Sequence, residues 1–229
     1  MKAASASAAA AAAARDPAGP VVAAFDFDGT LTRGDSLIPW LRGGLGMARL
    51  GWALARTSPA LAAWQLGRIS NEAAKLVLLR HTVAGRSRSE LAGWTDRFLQ
   101  QTLPGLLDAR ALRRLAAHQA AGHRCVLVSA SPEVYLDAVA RQLGFDALLC
   151  SQLDWQDERA SGRLRGANCY GEEKVRRLQA WWADRPPSVL WAYGDTRGDR
   201  PMLALADHGI YVGKPDGRAH YERLPGLTG

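Results

Sequence analysis

The chain has 229 residues, 48% of them hydrophobic and 22% charged, with a formal charge of +7. That length buries a real core, as one large domain or a domain with an insertion, and no run approaches the ~20 uncharged apolar residues of a membrane span. Three cysteines, Cys125, Cys150 and Cys169, suggest no disulfide framework and match no zinc spacing, so a reducing cytoplasm is the natural compartment.

Residues 3–14 contain only Ala and Ser. Polyalanine favours helix but has no second face to bury, and without a Leu-rich centre it makes a poor secretory signal. Residues 1–20 are therefore expected to be a disordered Ala-rich tail. The apolar run Val21–Phe25 reads as a buried strand that releases Asp26-Phe27-Asp28-Gly29-Thr30-Leu31-Thr32. Carboxylates two residues apart on a strand project to one side, and Gly29 lets the chain turn sharply after them. A lone Asp-x-Asp is usually a solvated turn. At the carboxyl end of a buried strand, where open α/β sheets bind their ligands, it is an expected active-site edge.

Residues 35–99 read helical throughout, with helices expected over 37–56, 59–67, 71–81 and 87–101. Ser70 or Asn71 can cap the third, and Ser87 with Glu90 has capping-box spacing for the fourth. The segment holds nine Lys or Arg against four Asp or Glu, and 9 − 4 leaves +5, most of the chain's excess. Arg42, Arg49 and Arg56 recur every seven residues as a stripe that drifts only ~20° per step. Such a stripe among Trp40, Leu41, Met47, Leu50 and Trp52 fits peripheral contact with an anionic membrane. An ordinary helix packed on its neighbours with a solvated arginine face fits as well, and Gly43, Gly44, Gly46 and Gly51 favour close packing. No aromatic-and-basic platform is present, so no nucleic acid partner is expected.

A helix over 106–121 should stop at Gly122. The strand 124–129 ends in Ser129, and Ser131 is placed as N-cap of a helix over 132–143 with Pro132 at its first position. A hydroxyl at such a strand-to-helix turn makes a phosphate seat. Residues 147–166 read as a strand, a polar turn over 157–162 and a returning strand, and Lys174 then opens a helix over 172–183. The strand 188–193 ends in Gly194-Asp195-Thr196-Arg197-Gly198-Asp199, a second edge with two carboxylates, before a short helix from Pro201 and a last strand over 209–212. Alternating apolar strands and helices argue for a mainly parallel sheet covered on both faces.

In this order, the four segments resemble the haloacid dehalogenase superfamily, in its phosphoserine-phosphatase-like branch. The DFDGTLT stretch matches the first motif, Ser129 the second, Lys174 the third and GDTRGD the fourth, so the resemblance runs from residue 21 to residue 213. It implies an α/β fold: a Rossmann-like parallel sheet with helices on both faces and an inserted all-helical cap. The catalytic core would span 21–34 and 100–229, and the cap 35–99. The implied activity is Mg²⁺-dependent phosphomonoester hydrolysis through an aspartyl-phosphate. The substrate would be a small phosphate metabolite (phosphoserine or histidinol phosphate) or a lipid phosphate head group such as phosphatidylglycerophosphate.

By the same resemblance Asp26 is the nucleophile, and Asp28 protonates the leaving oxygen and later activates water. The metal is held by Asp26, the backbone carbonyl of Asp28, and Asp195, with Asp199 in support; Ser129 and Lys174 bind the phosphoryl oxygens. Mg²⁺ suits sparse carboxylates without a His or Cys cluster. Asp35 takes the position of a cap-hinge acid that contacts substrate, one methylene shorter than in the resembled enzymes. Position 198 is Gly where those enzymes usually carry Asn, and their cap arginine has no clear counterpart, Ala73 or Lys75 lying nearest. A phosphate-binding scaffold with a decayed site is the alternative from a different class; Gly198 favours it, and intact Asp26, Asp28, Lys174 and Asp195 oppose it.

Overall fold

The structure is a computed structural model that describes residues 17–212. The expected tail lies outside the described residues up to residue 16, as does the chain beyond residue 212. In chain order the elements are β1 (Val21–Phe25), α1 (Leu37–Leu45), α2 (Met47–Gln65), α3 (Asn71–Thr82), α4 (Arg88–Gln101), α5 (Leu103–Leu106) and α6 (Ala109–Ala120). There follow β2 (Arg124–Pro132), α7 (Glu133–Gln142), β3 (Ala147–Ser151), β4 (Leu153–Gln156), β5 (Arg159–Leu164), α8 (Glu172–Trp182), β6 (Val189–Gly194), α9 (Arg200–Leu205) and β7 (His208–Tyr211).

Five strands form one sheet in the order β3-β2-β1-β6-β7, every pairing parallel. Parallel strands need helical crossovers, which cover both faces, and that is why these strands are apolar without alternation. Ala23, Phe25, Cys125, Leu127, Trp191 and Tyr193 are buried on one face; Val22, Ala24, Val126, Val128, Leu190 and Ala192 are buried on the other. This is the Rossmann-like architecture the resemblance implies. The strand order reverses at β1, so the carboxyl ends of β1, β2 and β6 meet at a switch point where such sheets bind ligands. Beneath it Phe25 stacks on Tyr193 at 4.4 Å, and the Tyr193 hydroxyl bonds His118 Nε2 at 2.8 Å. Burial pushes His118 down to about 3, so this ring is a neutral core group.

Between β1 and β2 the chain runs out through α1–α4 and returns through α5 and α6. Its outgoing and returning legs lie side by side: Arg33 N donates to Leu106 O at 2.8 Å and Asp108 N to Leu31 O at 2.9 Å. Packing and backbone bonds fasten the excursion to the rest of the chain on two sides. Trp40 stacks on Tyr135 of α7 at 5.2 Å and donates from Nε1 to Thr95 Oγ1, which donates on to Val134 O. On the other side Gly85 N donates to Ala160 O at 2.7 Å and Ala160 N to Arg86 O at 2.9 Å, which ties the excursion to β5. Strands β4 and β5 make a separate antiparallel hairpin. Its turn is narrower than the expected 157–162, because Asp157 and Glu158 take left-handed backbone (φ 48° and 61°) and close it in two residues.

Two helix boundaries differ from expectation. The helix expected over 37–56 breaks at Gly46 (φ 76°), so Arg42 lies on α1 and only Arg49 and Arg56 share α2. The break expected before Pro59 does not occur. Proline removes one helical hydrogen bond, and the Ala55 carbonyl left without it accepts from Ser58 Oγ at 2.8 Å, so α2 continues to Gln65. Both expected caps form: Ser70 Oγ accepts from Ala73 N, and Ser87 and Glu90 exchange the two bonds of a capping box.

Of the three glycines in the first two helices, Gly44 is the one pressed against a neighbour; a Cβ there would lie 1.9 Å from the Trp94 ring. Gly43 and Gly51 face open space. Gly44→Ala should therefore cost about 1–3 kcal/mol, the usual penalty of overpacking, whereas Gly51→Ala should leave stability unchanged or raise it by up to about 1 kcal/mol. Denaturant melts of the two variants check this.

Candidate active site

The site grows from the end of β1. Asp26 N donates to Tyr193 O at 2.9 Å, which carries the β1–β6 pairing one residue past the strand and delivers Asp26 to the sheet edge. Phe27 turns into the core, and its carbonyl collects the amides of Thr30, Leu31 and Thr32 at 3.2, 2.9 and 3.1 Å. That knot reverses the chain within one turn. Gly29 adopts φ 77°, and a Cβ on it would sit 2.1 Å from Asp195 Oδ2, so the turn can hold only glycine while Asp195 leans over it.

Lys174 comes from the first turn of α8 and is 2% exposed. Its three ammonium protons are matched by three acceptors: Asp26 Oδ1 at 2.5 Å, Asp199 Oδ1 at 2.5 Å and Val128 O at 2.9 Å. Burial by itself would depress this ammonium, but Asp26 and Asp199 outweigh it and hold its pKa above the ordinary lysine value. Burial raises Asp26 and Asp199 adds to the rise, while Lys174 pulls the other way. The second oxygen of Asp199 accepts from Thr196 N (2.9 Å), Thr196 Oγ1 (2.7 Å) and Asp195 N (3.3 Å). Asp199 is thus fully engaged in fixing Lys174 and the loop that presents Asp195. Asp195 accepts from Thr30 Oγ1 at 3.3 Å, and burial together with Asp199 pushes it up to about 6.

Carboxylate oxygens of Asp26, Asp195 and Asp199 all lie within 4.8 Å of one another. Three carboxylates facing one lysine leave excess negative charge in a buried place, and the raised Asp26 and Asp195 record that crowding. An all-oxygen donor set of this kind fits a hard divalent cation. Asp28 stands apart from the cluster: its carboxylate accepts from Ser36 N and from Ser131 Oγ, both at 2.6 Å.

Ser131 was expected to cap α7. Instead it lies in the extended end of β2, Pro132 occupies the N-cap position, and the Ser131 hydroxyl goes to Asp28. Ser131 N donates to Ser129 Oγ at 3.1 Å, so Ser129 sits buried on the same loop with its own O–H to donate. Asp35 is exposed, and Oδ2 accepts from Ile38 N at 2.8 Å, closing the first turn of α1. The structure therefore brings Asp26, Asp195, Asp199 and Lys174 together directly, joins Asp28 to the Ser129 loop through Ser131, and leaves Asp35 at the rim as a helix cap.

Two residues at the site carry no sequence motif. Lys75, half-buried on α3, donates from Nζ to Ala130 O at 2.6 Å and to Asn168 Oδ1 at 2.9 Å. Burial pulls it down to about 8 despite the opposing pull of Asp28. Buried Asn168 also accepts from Ser151 Oγ, donates from Nδ2 to Asn71 Oδ1, and donates its backbone N–H to Glu72. The resemblance set Lys75, with Ala73, nearest the cap arginine of the resembled enzymes; Asn168 had no sequence signal. Gly198 also finds a reason: a Cβ there would lie 2.3 Å from the Tyr170 ring, which occupies the space an asparagine would need.

Comparison with known proteins agrees with this geometry. A family model described as haloacid dehalogenase-like hydrolase matches residues 23–204. Protein CicA of Caulobacter vibrioides is 36% identical over 202 residues, 86% of this chain and 89% of that protein. A solved protein of unknown function from Bordetella pertussis Tohama I superposes with a TM-score of 0.77 at 27% identity, over 86% of this chain and 92% of its own. A substrate-bound phosphoserine phosphatase shares the fold, with a TM-score of 0.61 at 16% identity over 86% and 88% of the two chains.

The Lys174 arrangement has a measurable consequence. Lys174→Met would leave Asp26 and Asp199 buried without their counter-ion, a loss of about 3–5 kcal/mol in chemical denaturation. Part of that loss should be recovered by millimolar divalent cation, since a cation among the three carboxylates replaces the missing positive charge.

Proposed function

Because this chain belongs to the haloacid dehalogenase-like hydrolases, we propose that it is a magnesium-dependent phosphatase that cleaves phosphomonoesters through an aspartyl-phosphate on Asp26. The observation that carries this reading is the pairing of two unlike carboxylates at one sheet edge: Asp26 on a buried lysine within an acidic cluster, and Asp28 on two neutral donors. Environments this different suit a nucleophile and a proton carrier. Asp26, Asp195 and the backbone carbonyl of Asp28 would hold the magnesium ion, with Asp199 in support. When bound, it offsets the repulsion between phosphate and carboxylate and stabilises transition-state charge.

The chain's own groups then divide the reaction. The Ser129 O–H, and Lys174 by exchanging its bond to Asp26, would bind phosphoryl oxygens and align phosphorus with Asp26. An Asp26 oxygen forms a bond to phosphorus as the bond from phosphorus to the leaving oxygen breaks, and Asp28 gives that oxygen a proton. In the second half Asp28 takes a proton from water, the water oxygen bonds to phosphorus, and the bond to Asp26 breaks, which returns the carboxylate and releases inorganic phosphate. Asp28 is positioned for both transfers by Ser36 and Ser131, one donor from each side of the cleft.

The helical excursion over 35–99 acts as a cap on this cleft. Its contribution to substrate choice centres on Lys75, a cation reaching the Ala130 carbonyl between Ser129 and Ser131, with Asp35 at the hinge. This favours a phosphomonoester that carries a second anionic group, whether a small metabolite or a head group on a lipid.

Two outcomes test the reading. Asp26→Asn should abolish release of phosphate from a generic aryl phosphate, by on the order of a thousandfold or more, and chelator should do the same to the parent protein until magnesium is restored. Activity surviving in Asp26→Asn would remove the nucleophile assignment. For Lys75, the expected change is in KM: Lys75→Met should raise it about ten- to a hundredfold for substrates with a second anionic group, with aryl phosphate turnover kept. Because Lys75 titrates near 8 and is charged below that pH, the parent should show the same KM rise as pH passes about 8, and Lys75→Met should not.

A further inference from the structure

Helix α2 is unusual in what it leaves outside. Over 19 residues it buries only Leu50, Ala53 and Thr57. Of the five large hydrophobic side chains exposed among the described residues, four lie on or at the end of this helix: Met47 (71% exposed), Trp52 (57%), Trp64 and Leu66. The exposure is also ordered. Ala48, Trp52, Ala55, Pro59, Ala62 and Leu66 alternate in steps of four and three and are all exposed, so they form one seam along the face opposite the buried residues. An outward helix face is ordinarily polar. This one is apolar from end to end.

Charge on this surface has one sign. Arg49 and Arg56 border the seam, with Arg42 before it and Arg68 after it, and all four are exposed. No Asp or Glu occurs between Asp35 and Glu72. The Arg56 guanidinium lies over the Trp52 ring at 5.0 Å, which places cation and indole together at the edge of the apolar strip.

We propose that α2 docks this protein on the surface of an anionic lipid bilayer, with the seam lying in the headgroup–acyl boundary and the arginines against lipid phosphates. The geometry chooses among occupants. A second copy would set arginine against arginine, with no carboxylate in the stretch to pair them. A folded protein partner asks for relief on the surface, and a strip of alanines between Trp52 and Leu66 offers little. A bilayer needs no shape, takes up the apolar strip, and supplies the missing negative charge. No helix among the described residues is long and apolar enough to cross a membrane, so the contact is peripheral. Helix α2 packs on α3, which carries Lys75, so docking would hold the cap side of the cleft toward the lipid surface.

Flotation of the full-length protein with vesicles tests the proposal. It should float with vesicles of phosphatidylglycerol and phosphatidylcholine, stay in solution with phosphatidylcholine alone, and be released by about 1 M salt, where charges are screened beyond ~3 Å. Arg49→Glu with Arg56→Glu should weaken binding by on the order of tenfold or more, and Trp52→Ala should weaken it as well. Both variants should keep the parent's melting temperature and its turnover of a soluble aryl phosphate. Three outcomes would overturn the proposal: no flotation with anionic vesicles, flotation that these variants leave unchanged, or light scattering that shows a dimer dissolved by Trp52→Ala.

Discussion

A buried ammonium held between two buried carboxylates is the constraint on which the site depends. Lys174 reaches Asp26 from the end of β1, Asp199 from the loop after β6, and a carbonyl of β2. One side chain thus ties together the three strand ends that meet at the switch point. Replacing such a triad with apolar groups is often neutral or stabilising, so stability alone does not account for it. Its effect is positional. Asp199 is occupied on both oxygens, and through its second oxygen it shapes the turn that carries Asp195 over Gly29. A rigid acidic cluster with one cation too few follows from that arrangement.

Asp28 links this rigid floor to the layer above. Its two bonds come from Ser36, at the start of the helical excursion, and Ser131, on the β2 loop. Ser36 continues the chain of contacts to the Tyr135 hydroxyl at 2.9 Å, and Tyr135 is the ring on which Trp40 stacks. On the far side Lys75 and Asn168 make the corresponding connection, from α3 to the loops after β2 and before α8. These two connections are polar and adjoin the cleft, whereas Trp40, Trp94 and Phe98 make apolar contacts. Polar bonds exchange with water at small net cost.

The two sides of the excursion present different surfaces. Its inner side follows ordinary rules, with Gly44 thinned to admit Trp94 and Thr95 passing a hydrogen bond between Trp40 and Val134. Helix α2 lies farther out and presents apolar side chains to both sides. Uniform positive charge keeps such a surface soluble and turns it toward anionic partners. The arginines that mark the excursion as basic in the sequence are divided by Gly46, which leaves Arg42 on α1 and sets Arg49 and Arg56 on α2.

Much of the fold was legible in the chain itself, because the rules involved act over a few residues. Apolar strands ending in Asp26, Ser129 and Asp195 announce a parallel sheet with its chemistry at one edge, and caps such as Ser70 and the Ser87–Glu90 pair are local hydrogen bonds. Where sequence reading failed, a hydrogen bond, distant in one case and local in the other, had changed a backbone preference. Ser131 left its helix for a carboxylate 103 positions away, and Ala55 found a hydroxyl that let α2 run through Pro59. Lys75, Asn168 and Tyr170 belong to the site only because the excursion folds back over the sheet, and contacts 93 positions apart, such as Lys75 to Asn168, leave no periodic trace in a single sequence. Sequence by itself determined which residues could do chemistry and at which strand ends they would stand. Tertiary structure alone decided which carboxylate received the lysine, which received neutral donors, and which apolar face of α2 was left to the outside, because each depends on how separate elements are set against one another.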